Sequence, residues 1–372
     1  MLINKPVKTF ELPSGTFDLP VYLPDATYGV VRSVDAQDLE VCGVQGLVMN
    51  VYHLMQKPGS STVQSLGGLH KMSGWSGPIV TDSGGFQVYS LVRQNPKFGQ
   101  IQDRGITFHP EGKDRKYLLT PEKSIQLQLS FGADVVICLD DCTHVDDSFE
   151  EQKLSVRRTI AWAKRCKETF VKITQGKKVT SEHKPKIFGV VQGGSSRELR
   201  KECADALLEI GFDGYGYGGW PLDGDQNLLA DMLSFTRDLI PLEFPMHALG
   251  IGHPYNVVTC YKIGYDIFDC AMPTRDARHG RLYRYRSDPA QIDFLNTADW
   301  LQYVYIHDER HIKADEPISP YCDCICCKHY SIGYLRHLFK MNDGVFFRLA
   351  TIHNLRLMTQ LMEGLRGGPH ES

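Results

Sequence analysis

Short apolar, β-branched runs alternate along the chain with longer segments of helical period. The runs are PVYLP (20–24), GLVMNVY (46–52), PIVTDS (78–83), DVVICLDD (134–141), KIFGVVQ (186–192), GYGYGG (214–219), HALGIG (247–252) and DIFDCAMP (266–273). They are apolar almost without interruption, which predicts parallel strands covered on both faces. The stretches between them read as helices. SVDAQDLEVCG opens on Ser33 as a cap, and TPEKSIQLQLSFG has Thr120 as N-cap with Pro121 at the first helical position. SFEEQKLSVRRTIAWAKRCKETFVKI is long and amphipathic, with a capping box from Ser148 to Glu151. SRELRKECADALLEIG, DQNLLADMLSFTRDLI and PYNVVTCYKIG follow. Eight strand–helix units predict an α/β fold, a (β/α)8 barrel. An open doubly wound sheet is the rival, and the persistence of the alternation through eight units favours the barrel.

Two segments depart from this rhythm. Within residues 88–118, ITFHPEGKDRKYLL reads as a hairpin with Gly112 in its turn. Residues 290–355 hold a cysteine cluster and no barrel-like alternation, and helical periodicity returns at roughly 342–366. The expected organisation is a barrel core over 1–289, a small metal-stapled subdomain over 290–355, and a C-terminal helix over 356–372 that completes the barrel.

Catalytic groups of such a barrel sit where strands end, at the C-terminal rim. The third run ends in Asp82, followed by SGGFQ. The fourth ends in Asp140 and Asp141. The fifth ends in Gln192 before Gly193 and Gly194, the sixth in Gly218 and Gly219, and the eighth carries Asp269. One such aspartate would be read as a helix cap. Five polar or glycine-rich ends on one rim point to an active site. Paired carboxylates suit cleavage of a glycosidic bond, since one can attack the anomeric carbon while the other moves protons. That chemistry fits a glycoside hydrolase as well as a nucleoside-processing enzyme.

The chain has 372 residues and eleven cysteines, four of which fall within six positions at Cys322, Cys324, Cys326 and Cys327. Scattered cysteines act as small core residues, whereas four together suggest metal. Cys322, Cys324 and Cys327 with His353 would make a closed tetrahedral zinc site of structural type, with Cys326 and His329 as possible substitutes. The N-terminus has no apolar signal core and no stretch is long enough to span a membrane, so a cytoplasmic protein is expected. A net charge of −3 provides no global field for nucleic acid. A local basic run does exist: PTRDARHGRLYRYR follows Asp269, with Arg275, Arg278, Arg281, Arg284 and Arg286 interleaved with Tyr283 and Tyr285. Arginine forks bind phosphate and aromatic rings stack on bases, so a polynucleotide clamp beside the glycosidic-bond site is expected.

NVYHL, GGLH, TDSGGFQV, LDDCT, GVVQGG, GYGYGG, FDCAMPTRDARHG and CDCICC with the distant His353 span roughly residues 46–353. In order and spacing they resemble the tRNA-guanine transglycosylase (queuine tRNA-ribosyltransferase) family, bacterial type. The resemblance implies a (β/α)8 barrel with a zinc subdomain inserted near its end. It implies exchange of guanine at the wobble position of U-G-U anticodon loops for a 7-deazaguanine base, through a covalent aspartyl intermediate. Carried over, Asp269 is the nucleophile and Asp82 the general acid/base. Asp140, Gln192 and the backbone of Gly219 bind the purine, and Asn50, Leu249 and Gly250 line its pocket. Arg275 and Arg278 read flanking bases of the tRNA. The resemblance also implies one structural Zn2+ on Cys322, Cys324, Cys327 and His353, and a homodimer. A glycoside hydrolase or nucleosidase, or a non-catalytic RNA-binding subunit, are the competing readings.

One departure stands out. Where the family has Leu-Ala-Val-Gly-Glu after the glycine pair, this chain has Trp220-Pro221-Leu222-Asp223-Gly224-Asp225. In the family the peptide at this point flips between donor and acceptor. Pro221 has no N–H, so here the peptide only accepts, which predicts preference for a base bearing an amine on its 7-substituent. Asp223 or Asp225 would replace the family's glutamate.

Overall fold

The structure, a computed structural model, describes residues 7–95, 97–109, 116–144, 146–175 and 184–367. Its centre is eight parallel strands: β1 (Val21–Pro24), β2 (Leu47–Asn50), β3 (Ile79–Asp82), β4 (Val135–Ile137), β5 (Lys186–Val191), β6 (Gly214–Tyr217), β7 (Met246–Ala248) and β8 (Ile267–Cys270). Their order is β1-β8-β7-β6-β5-β4-β3-β2. A parallel bridge between Asp25 and Val48, with the Ala26 amide donating to the Val48 carbonyl at 2.7 Å, joins β2 back to β1. The ring closes as a barrel, not an open sheet. Every apolar run became a strand, although 134–141 pairs only over Val135–Ile137.

The strands alternate between two cores. Val21, Leu23, Val48, Val80, Val135, Ile137, Phe188, Val190 and Ile267 face inward and form one cluster. Residues between them, such as Tyr22, Met49, Val136 and Phe268, face outward into the larger cluster shared with the helices. Burying each such side chain contributes about 1.5–3 kcal/mol. Leu12, Phe17 and Leu19 complete the inner cluster. They come from an N-terminal hairpin, Thr9–Leu12 paired with Gly15–Asp18, which plugs the end of the barrel opposite the strand C-termini. Its Ser14 amide donates to Asp134, just before β4, at 2.9 Å.

Helix starts follow their caps. Thr120 caps Pro121–Phe131 through the Lys123 amide, and Ser148 and Glu151 bond reciprocally at the start of Phe149–Gln175. Ser33 is not a cap. It lies in a turn with φ of 77°, and Asp35 caps Ala36–Val41 in a box with Asp38. Residues 105–108 and 117–119 pair antiparallel as the expected hairpin, joined on the other side by Gly99–Gln102. Gly112, expected in its turn, lies outside the described residues.

Beyond the barrel, Arg281–Tyr285 pairs antiparallel with Leu301–Tyr305. Helices Ile325–His329 and Ile332–Lys340 lead into the terminal helix Gly344–Gly367. No helix among the described residues is long and apolar enough to cross a membrane.

Candidate active site

Period-two alternation places one polar residue above each inward apolar one. Val48 leads to Asn50, Val80 to Asp82, Val190 to Gln192 and Ile267 to Asp269. All four therefore reach the same C-terminal mouth of the barrel. Asp82 and Asp269 lie on strands three steps apart round the ring, yet the Asp269 charge still acts on Asp82.

Each acid has its own surroundings. Asp82 accepts from Asn50 Nδ2 at 2.7 Å, the Gly84 amide at 2.9 Å and Gln87 Nε2 at 3.2 Å. Burial nevertheless pushes its pKa up, and the charge of Asp269 adds to the shift. Gly84 closes this turn with φ of 84°, and a Cβ there would sit 2.8 Å from the Tyr52 Cβ, so the glycine is required. Asp140 accepts from Gln192 Nε2 at 2.6 Å. Burial, with the charges of Asp82 and Asp141, outweighs that bond and raises Asp140 to about 7. Its neighbour Asp141 turns away and pairs with Arg158 at 2.9 Å.

Asp269 is held differently. His247 Nε2 donates to Oδ1 at 2.8 Å and the Gly250 amide donates to the same oxygen at 2.9 Å. Oδ2 accepts no hydrogen bond among the described residues, and the side chain is 17% exposed. An oriented carboxylate with one open oxygen at the mouth is suited to nucleophilic attack.

The floor is shaped by Gln192 and the glycine pair. A Cβ on Gly218 would lie 2.6 Å from Gln192 Nε2, and one on Gly219 would lie 3.4 Å from its Oε1. Gln192 Oε1 is buried without a partner among the described residues. Arg200, buried beneath, donates Nη1 to Val191 O at 2.6 Å and Gly218 O at 2.9 Å, and Nε to Gly194 O at 3.1 Å. It thus pins both strand ends that carry these groups. Leu249 packs over Gly216. Phe86, 39% exposed, stacks on Trp220 at 5.7 Å and adds a flat ring at the mouth.

Cys322, Cys324, Cys327 and His353 offer ligand atoms that all lie within 4.8 Å of one another. The Cys324 and Cys327 sulfurs stand 3.7 and 3.2 Å from His353 Nδ1. Those spacings approach the edges of a tetrahedron with metal–ligand bonds of about 2.0–2.3 Å. His353 Nε2 donates to the Tyr283 carbonyl at 2.6 Å, which leaves Nδ1 as the ligand. The donor set fits one metal ion. Neither Cys326 nor His329 joins the group: Cys326 is fully buried in the core.

The family model described as Queuine tRNA-ribosyltransferase matches residues 6–368. The chain belongs to the queuine tRNA-ribosyltransferase family. Relatives carrying that name include one from Halothermothrix orenii, 35% identical over 361 residues, covering 97% of this chain and 89% of the relative. Another, from Actinobacillus pleuropneumoniae serotype 3, is 37% identical over 360 residues, covering 96% and 87%. A third, from Syntrophobacter fumaroxidans, is 36% identical over 352 residues, covering 95% and 87%.

In this queuine tRNA-ribosyltransferase family member, the barrel mouth gathers Asp82, Asp140, Asp269, Gln192, Gly219, Asn50, Leu249 and Gly250. Gly250 touches Asp269 directly through its amide. The basic run divides. Arg275 and Arg278 lie on the rim helix Met272–Arg278, and Arg278 Nη1 is buried without a partner among the described residues. Tyr283 and Tyr285 are not stacking platforms: both are buried, and their hydroxyls donate to Asp276 at 2.6 Å and Leu357 O at 2.8 Å. Arg281 and Arg286 pair with Asp276 and Asp299.

His247 and Arg200 escape motif reading, and Gln87 lies inside TDSGGFQV without an expected role. His247 sits inside a strand, where a histidine usually signals packing. The period-two phase that carries Asp82 and Asp269 inward would have exposed it. Asp223, expected to stand in for the family's glutamate, bonds within its own turn to the amides of Asp225 and Asn227 at 2.9 and 2.8 Å. Leu229 N donates to Pro221 O at 2.9 Å and ties that loop shut.

Proposed function

We propose that this protein exchanges guanine at the wobble position of U-G-U anticodon loops for a 7-deazaguanine base, within queuosine biosynthesis in the cytoplasm. The base is 7-aminomethyl-7-deazaguanine or queuine. The observation that carries the reading is the convergence of three carboxylates in three different environments on one rim of a family barrel.

Asp269 is the nucleophile. Oδ2 attacks the anomeric carbon from the face opposite the base, while His247 and Gly250 hold Oδ1. The glycosidic bond breaks, its electron pair leaves with guanine, and the proton held by Asp82 neutralises the departing base. An incoming base then returns a proton to Asp82, and its nitrogen displaces the aspartyl oxygen. Two displacements at one carbon retain configuration, and the ester conserves the bond energy, so no ATP is consumed. Asn50 orients Asp82. Asp140 accepts from the N–H edge of the purine, while the second amide hydrogen of Gln192 and the Gly219 amide meet its carbonyl. Leu249 and the Phe86 ring enclose the flat base. Arg275 and Arg278 hold the tRNA strand. The metal is one zinc ion with a structural role, since all four positions are filled by protein.

The Trp220–Pro221 peptide offers only an acceptor, which supports preference for an amine-bearing base. In competition, both deazaguanines should displace labelled guanine from exchange, and equal use of guanine would remove this preference. Exposed Tyr334, Met341 and Val345 on the metal subdomain support a homodimer.

The test is incorporation of radiolabelled guanine into an unmodified tRNA. Asp269→Ala should lower exchange at least about a thousandfold while RNA binding survives. Continued exchange would show Asp269 to be misassigned.

A further inference from the structure

We propose that Asp25 accepts a hydrogen bond from the 2′-hydroxyl of the target ribose and so makes the site select RNA over DNA at the nucleotide it cleaves. This rests on the transglycosylase reading and assigns it a further specificity residue.

The placement follows from register. β1 pairs with β8 so that Leu23 faces Asp269 and Pro24 faces Cys270. Val21 and Leu23 both point into the barrel. The bridge from Asp25 to Val48 keeps the backbone extended past Pro24. Alternation therefore turns Asp25 inward, one layer above Leu23, on the strand beside the nucleophile.

Its hydrogen-bond partners are local, and no cation neutralises it among the described residues. Asp25 is half-buried. The Thr27 hydroxyl donates to Oδ1 and the Thr27 backbone amide also bonds the carboxylate, which forms no ion pair among the described residues. The charges of Asp269 and Arg278 both act on it. Arg278 in turn feels Arg32 and Arg275, and its Nη1 is buried and unpaired among the described residues. Along the rim the order is thus nucleophile, second carboxylate, cationic cluster. A second acid beside a nucleophilic carboxylate is electrostatically unfavourable, and its bonds to Thr27 stay within one turn.

Substrate chemistry supplies a use. Attack on C1′ comes from the face opposite the base. In a ribonucleotide the 2′-hydroxyl projects from that same face, on the adjacent carbon. A carboxylate flanking Asp269 meets that hydroxyl, while the adjoining phosphate falls toward Arg275 and Arg278. The hydroxyl is what distinguishes RNA from DNA at a given site.

The experiment uses two anticodon stem-loops, one all-ribose and one with a single 2′-deoxyguanosine at the target. Labelled-guanine exchange is measured as kcat/KM on each, with the wild type, Asp25→Ala and Asp25→Asn. The wild type should prefer the ribose substrate by about tenfold or more, the scale of a hydrogen bond to a charged group. In Asp25→Ala the preference should shrink to about twofold or less, and Asp25→Asn should fall between. Both RNAs meet the same preparation, so partial misfolding cancels from the ratio. An unchanged ratio in Asp25→Ala overturns the proposal, as does an Asp25→Asn protein that exchanges neither RNA. If the wild type itself fails to exchange guanine into the all-ribose RNA, it is the transglycosylase reading that fails.

Discussion

Asp140 is the residue at which burial and function pull in opposite directions. Burial lifts its pKa from 3.8 to about 7, Gln192 opposes the lift, and the charge of Asp82 adds to it. In the proposed reading Asp140 accepts from the purine's N–H donors, which needs its ionised form. Guanine affinity should therefore rise with pH between about 5.5 and 8, by up to about tenfold per unit below the pKa. The KM for guanine across that range checks it, and Asp140→Asn should flatten the profile while weakening binding. Stability should move the opposite way. A carboxyl whose folded pKa lies above its unfolded value keeps extra protons in the native state, so its contribution is present below about 4 and lost as pH rises through about 7. Asp140→Asn should therefore melt higher than the wild type at pH 8, by a few degrees, with the gap closing towards pH 4. A gap that widens in acid would reverse the sign argued here.

At the scale of elements, the metal group joins parts that the barrel alone would leave loose. His353 and Asn354 sit side by side on Gly344–Gly367. Asn354 accepts from the Tyr283 amide at 3.0 Å and donates to Pro273 O and Arg281 O at 2.9 and 3.1 Å. The same turn of helix thus offers a ligand to the metal group and fixes the rim helix that carries Arg275 and Arg278. Cys324→Ala should lower the melting temperature by about 5 °C or more and raise the KM for tRNA more than that for guanine. A tRNA KM left unmoved by the lost ligand would uncouple the two. Asn354→Leu should cost about 2–4 kcal/mol, because it strands one amide and two carbonyls in the core, readable by urea titration. What the sequence reveals of these elements follows their physics. The eight strands stand out because two-sided burial demands unbroken apolar runs, and Thr120 and Ser148 stand out because capping is local. Ser33 misleads because two capping-type side chains lie two residues apart, and backbone φ selects Asp35. Tyr283 and Tyr285 mislead because an amphipathic strand beside a basic helix reads as one basic run. The N-terminal hairpin is hidden because its partner is the interior of a barrel that forms from distant segments.

For the whole molecule, net charge and local charge make separate statements. The chain carries −3 overall, so long-range attraction to RNA is weak, and affinity must come from the few cations beside the active mouth. Arg275 and Arg278 occupy the rim helix, and Arg32 lies close enough for its charge to act on Arg278. Two other arginines of the run are already committed, Arg281 to Asp276 and Arg286 to Asp299. The three rim cations Arg32, Arg275 and Arg278 predict a shallow dependence of tRNA binding on salt. For single-stranded loop contacts the slope of log K against log salt is about −0.7 per phosphate neutralised, hence about −2 here. Arg275→Ala should make the slope shallower by about 0.7 and weaken tRNA binding, while the KM for guanine stays within about twofold. Fluorescence anisotropy of a labelled anticodon stem-loop between about 50 and 300 mM salt reads this directly. A slope of about −5 or steeper would mean that further surfaces grip the tRNA, and a second subunit contributing its own cations would be the first place to look.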